Sequence, residues 1–150
     1  MMQTRLKLDL ARLTLDAAAR QIISAAKAEA VIVARDVEQT SRARAPELTG
    51  ELEASHRTQI ATDNGDRLTV AVSAGPAINQ VTGEDYSIPM HEGLPPTGRP
   101  YNLGPVSSAK NAGPPHQGEG VGWKFLERAL QDCGPALARR IAAAIRRITP

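Results

Sequence analysis

The chain has 150 residues, carries 18 Lys and Arg against 16 Asp and Glu for a formal net charge of +2, and is 41% hydrophobic but only 3% aromatic. That length fits one domain and leaves little room for a second core, and so weak a charge does not by itself argue for nucleic-acid or membrane binding. Tyr86, Tyr101, Trp123 and Phe125 are the only aromatic residues, so a core has to come mainly from Ala, Leu, Ile and Val; Cys133, the only cysteine, excludes an intramolecular disulfide and suits a reducing compartment.

The first stretch, MMQTRLKLDLARLTLDAAAR, interrupts its leucines with Lys7, Asp9, Arg12 and Asp16, so it lacks the uncharged core of a signal peptide. No segment approaches the roughly 18 apolar residues of a membrane-spanning helix, and the chain reads as soluble. From Leu8 to Arg44 the pattern is helical, with Leu8, Leu15, Ala19, Ile22, Ala26, Ala30, Val33 and Val37 recurring on one face. Unbroken, such a helix is about 55 Å long, against a radius of gyration of about 15 Å for a compact domain of this size. Either it breaks near Ala17-Ala18-Ala19 and packs on its own domain, or it projects and is covered by neighbours.

Pro46 ends that helix by disfavouring helical geometry at Ala45 and removing a backbone donor. Thr49-Gly50 supplies the turn, and Leu52 anchors it before a strand in SHRTQIAT. Asn64-Gly65 then marks a hairpin into RLTVAVSAG, where Leu68, Val70 and Val72 define a buried face opposite a polar one. YSIPMHEG, residues 86 to 93, forms a short extended piece or a helical turn, and Pro89 argues against a central strand.

Residues 93 to 120 hold most of the prolines and many of the glycines, which predicts a long loop that sustains neither helix nor ladder. Within it Tyr101, Leu103 and Val106 form a small apolar group suited to docking on an adjacent subunit. The end of the chain predicts helices from Gly122 to Asp132 and from Pro135 to Ile148, with Gly134 as terminator and Pro135 as the first helical residue. Arg139, Arg140, Arg146 and Arg147 gather on one side of the last helix, either as a solvated face near a helix C-terminus or as a contact for DNA or an acidic neighbour. The predicted fold class is α+β in one domain spanning 1–150.

Chemistry has little to build on. His56, His91, Glu92 and His116 match no zinc-ligand spacing, since His91-Glu92 lacks the second histidine of His-Glu-x-x-His. No serine sits in a Gly-x-Ser-x-Gly elbow, and no Gly-x-x-x-x-Gly-Lys phosphate loop exists. The expectation is a protein without catalytic, cofactor or metal site.

The order of APELTGELEAS (45 to 55), YSIPMHEG (86 to 93) and WKFLERAL (123 to 130) after a long helix resembles the tail-component and neck-protein family of long-tailed, siphophage-type bacteriophages, typified by the tenth gene product of a lambdoid siphophage. The resemblance covers residues 25 to 132, and the 93–120 segment is longer than the family pattern. It implies a structural virion protein at the head-tail junction: a homo-oligomeric ring, sixfold or twelvefold, that contacts head-closure, adaptor or tail-tube proteins and lets DNA pass. It would be assembled in the cytoplasm of a bacterial host. The competing reading is a nucleic-acid-binding accessory protein that uses the arginine stripe together with Arg42 and Arg44.

Overall fold

The computed structural model describes residues 2–9, 17–47, 49–65, 67–93, 103–113 and 120–148. The fold is a mixture of helix and sheet: one long helix, a three-stranded antiparallel sheet and two C-terminal helices that continue one another through a bend. In chain order the elements are β1 (Met2–Asp9), α1 (Ala17–Arg44), α2 (Glu51–Ala54), β2 (Arg57–Asp63), β3 (Arg67–Ala74), α3 (Ser87–Glu92), α4 (Pro105–Ala112), α5 (Phe125–Cys133) and α6 (Ala136–Ile148).

The long helix starts later than its periodicity suggests. Leu8 belongs to β1, which lies along the free edge of β3 with Leu6 opposite Val70 and Leu8 opposite Leu68. MQTRLKLD also alternates with period two, and a lone hairpin is marginal in water, so a third strand outweighs the helical spacing there. Leu15 and the chain around it lie outside the described residues. The sheet order is β1-β3-β2, and the hairpin turns at Asn64-Gly65 as expected, where the Asn64 amide donates to the Arg67 carbonyl at 3.0 Å. The β2 register slips between Ile60 and Thr62, a bulge on the edge strand.

The core lies between α1 and the sheet. Ala30, Ala34 and Val37 of α1 meet Leu68, Val70, Val72 and Ala74 of β3, and Leu52, Met90, Phe125, Leu126 and Ala129 close it. β3 does not have a polar exposed face, contrary to its alternation, because Thr69, Ala71 and Ser73 are buried too. It is the middle strand, with Ala71 in register with Arg5 of β1 on one side and Gln59 of β2 on the other.

The 93–120 segment departs furthest from expectation, because a helix forms inside it. Pro105 stands in the first turn of α4, where its missing amide costs nothing, and the Ser108 amide donates to the Gly104 carbonyl at 2.9 Å. Ser107 is buried, donates to the Glu47 carbonyl at 2.9 Å and accepts from the Glu47 amide at 2.8 Å. Lys110 Nζ donates to the carbonyls of Ala45 and Arg42 and pairs with Glu53. These carbonyls are among those a helix end leaves without partners, so α4 caps the C-terminus of α1. Burial lowers the pKa of Lys110.

Gly134 does not terminate a helix. Its φ of −55° and ψ of −44° are right-handed helical, and its amide donates to the Leu130 carbonyl at 2.8 Å. Pro135 and Gly134 therefore form a bend between α5 and α6. The joined helices run antiparallel to α1: Asp132 pairs with Arg44 at 2.6 Å, Cys133 Sγ lies 3.4 Å from Thr40 Oγ1, and Arg140 Nε donates to Glu29 at 2.7 Å.

Candidate interaction surface

The turn after α1 is built as its residue types require. Pro46 is fully buried, Gly50 takes a left-handed φ of 80°, and Leu52 of the single-turn α2 inserts into the core. Thr49 is exposed, with Oγ1 3.4 Å from the Tyr86 hydroxyl. Ser55 donates to the Leu52 carbonyl at 2.7 Å and accepts from the Gly75 amide at 2.7 Å, which ties α2 to the end of β3.

His56 follows. The Leu52 carbonyl can only accept, so His56 Nδ1 carries the hydrogen at 2.8 Å and Nε2 accepts from the Ser41 hydroxyl at 2.9 Å. Burial, with Arg42 adding to it, pushes the His56 pKa down to about 4 against the opposing backbone bond. A serine and a histidine at that distance satisfy nucleophile-and-base geometry. Both are sealed in the interior, however, and the second nitrogen faces a carbonyl rather than a carboxylate, so the pair serves as a bracket between α1 and α2. Ser41 was not among the sequence candidates, although its place four residues after Val37 on the apolar stripe marks it as a buried polar group.

The second motif meets the third at the entrance to α5. The Lys124 amide donates to the His91 carbonyl at 2.6 Å and its ammonium pairs with Glu92, which lowers the Glu92 pKa. Lys124 has a φ of 55°, the left-handed region for a side-chain-bearing residue, and these tertiary bonds hold it there. His91 Nδ1 lies 2.9 Å from Glu92 Oε1, and its ring stands edge-on to Phe125 at 4.9 Å. Gly93 has a φ of 67°, and a Cβ on it would lie 3.0 Å from the indole of Trp123. Gly93→Val is therefore expected to destabilise the fold by about 1–3 kcal/mol. A shift in urea midpoint with unchanged Trp123 fluorescence would instead place the indole elsewhere.

Phe125 is the point of convergence: fully buried, it contacts His91 on one side and His56 at 5.6 Å on the other. The segments 86–93 and 123–130 thus meet at this ring and at Lys124 on His91, while 45–55 joins them through Thr49 beside Tyr86 and through Leu52 in the same core.

The remaining candidates lie apart. Leu103 lines an open cleft of about 860 Å³ with Val121, Trp123, Lys124 and Arg128, whereas Val106 is 49% exposed on α4. Tyr101 and His116 lie outside the described residues. Arg42, Arg44 and Arg140 are paired with Glu38, Asp132 and Glu29, while Arg139, Arg146 and Arg147 are exposed. Among the described residues no group of three His, Cys, Asp or Glu is placed to hold a metal, and no helix is long and apolar enough to cross a membrane. No family model, curated protein or solved structure matches the chain.

Proposed function

We propose that this chain is a structural virion subunit of a long-tailed bacteriophage, one that forms an oligomeric ring at the head-tail junction and joins DNA-filled heads to tails. One observation supports the reading: the three segments on which the resemblance rests, far apart in sequence, contribute Leu52, Met90 and Phe125 to one core, with Thr49 beside Tyr86 and Lys124 on His91.

The packing of the long helix is in keeping with a subunit completed by neighbours. At 28 residues α1 is about 42 Å long, and among the described residues α5 and α6 accompany it in turn, with α6 along its N-terminal half. Along that stretch Ile22, Ile23, Leu137, Ile141 and Ile145 are all only partly buried. Small residues on α6 allow another helix to approach closely, and rotationally related copies would join through two different patches. In this reading the subunit works by shape and contact, with neighbours above and below it and DNA passing through the ring.

Deleting the gene from its phage is the test. The expected lysate contains DNA-filled heads and separate tails with DNA synthesis unaffected, and electron micrographs of normally joined virions would sink the proposal.

A further inference from the structure

Arginines of α6 and several glutamates of the segments after α1 and β3 lie toward opposite ends of α1, the glutamates interspersed with Arg57, Lys110 and Lys124. Residues 17–28 and 136–148 carry Arg20, Lys27, Arg139, Arg140, Arg146 and Arg147 and no Asp or Glu. Residues 46–55 and 76–93 carry Glu47, Glu51, Glu53, Glu84, Asp85 and Glu92 and no Lys or Arg. The antiparallel contacts place Arg140 beside Glu29, so Arg146 and Arg147, a further turn or two along α6, lie toward the N-terminal end of α1. The acidic segments sit at the other end, where Gln80 Nε2 donates to Glu51 Oε1 at 2.7 Å and Thr49 meets Tyr86.

Internal pairs remove part of each set. Lys27 is held by Asp63 and Arg140 by Glu29; Glu53 is held by Lys110, Glu92 by Lys124, and Asp85 by the amides of Ala77 and Ser87. Among the described residues this leaves Arg139, Arg146 and Arg147 exposed on α6, beginning about 22 Å from the C-terminal end of α1, and Glu51 and Glu84 at that end with Glu47 near Lys110 and Arg57 close by.

The acidic end also has a shaped feature. A groove of about 360 Å³ runs between α2 and the chain after β3, lined by Glu51, Ala54, Ser55, Arg57, Ile78 and Gln80. Glu51 Oε2 is buried there with no hydrogen-bond partner among the described residues, a costly state for a carboxylate oxygen. Ile78 is 38% and Val81 93% exposed beside it. Arg57 lines the groove without bonding that oxygen, and a second, incoming guanidinium meets both needs, since it can donate to the carboxylate while its aliphatic stem covers an isoleucine.

The geometry points to head-to-tail association of this chain with a second copy of itself, in which Arg139, Arg146 and Arg147 of α6 dock on the Glu47, Glu51 and Glu84 face and an arginine enters the groove beside Glu51. The contact joins different patches, so repeating it closes a ring or extends a filament. This rests on the ring reading and names the surfaces that would build it. A free polyanion such as DNA explains the arginines alone, whereas a second copy explains both ends and the unpaired carboxylate.

The test uses the full chain in sedimentation velocity, first from about 0.1 M to about 1 M salt, over which the Debye length falls from about 10 Å to about 3 Å. Self-association is expected at the lower salt and loss of it at the higher. The exposed set Arg139→Glu, Arg146→Glu, Arg147→Glu, and separately Glu47→Lys, Glu51→Lys, Glu84→Lys, are each expected to weaken association by more than about tenfold, with helical circular dichroism retained. An equimolar mixture of the two swapped proteins is expected to associate again, since each then offers the other a complementary pair of faces. Wild-type chain that stays monomeric at low salt, swapped chains that associate like wild type, or a mixture that stays monomeric would each overturn the interface. So would an arginine swap that abolishes binding of a DNA duplex while leaving self-association intact. Failure here leaves the deletion lysate as an independent test of the junction role, and joined virions there would leave the self-association result standing.

Discussion

Phe125→Ala is expected to remove about 3–5 kcal/mol of stability, a large share of the 5–15 kcal/mol typical of a native domain. The chain has one phenylalanine, and it is fully buried among Ala, Val and Leu side chains too short to move into its place. Its removal leaves a void bordered by two imidazoles, and both lose their aromatic neighbour. It also loosens α5 from α3, where the left-handed Lys124 is tied by its bonds to His91 and Glu92. Urea unfolding should show the midpoint falling with little change in slope, whereas Phe125→Leu should lose much less. Equal midpoints for the alanine variant and wild type would mean that the three motif segments do not depend on this ring.

The parts of this architecture that could be read from the sequence are those whose cause is local. Pro46 stops a helix whatever surrounds it, and Asn64-Gly65 turns a chain because both residues tolerate left-handed angles. The surroundings of Leu52 were legible for the same reason. β1 was not, because Met2–Asp9 satisfies two periodicities and only the free edge of β3 decides between them. α4 was hidden by its own composition: Pro105 reads as a breaker until it is seen in a first turn, and the groups that hold α4 down lie 60 residues away in Glu47 and further still in Arg42. Gly134 carries the ambiguity of every glycine before a proline, since the same pair ends a helix or bends one. The arginine stripe was visible as a stripe. Its counterpart was not, because the acidic residues come from two segments that only the fold brings together.

The pH dependence of stability should single out His56. Its pKa in the folded chain is about 4, against 6.5 for an unperturbed histidine, with burial as the main cause. Below pH 6.5 the unfolded chain takes up a proton that the folded chain refuses, so stability falls as the pH falls, and the loss from this group is complete once the pH has passed about 4. Above pH 7 neither state is protonated and the contribution is whole. The gap between the two values corresponds to about 3 kcal/mol. Asp63, Asp85 and Glu92 have pKa values held below their ordinary 3.8 to 4.5, so what they contribute is lost at lower pH than the window from 6.5 to 4.5 in which His56 acts. Urea midpoints are expected to decline steadily across that window in the wild type. In His56→Gln the midpoint is expected to be lower at pH 7.5, because the bracket between Ser41 and the Leu52 carbonyl is disturbed, but nearly level from 6.5 to 4.5. A slope that survives the substitution assigns the proton to another group and removes His56 from the account.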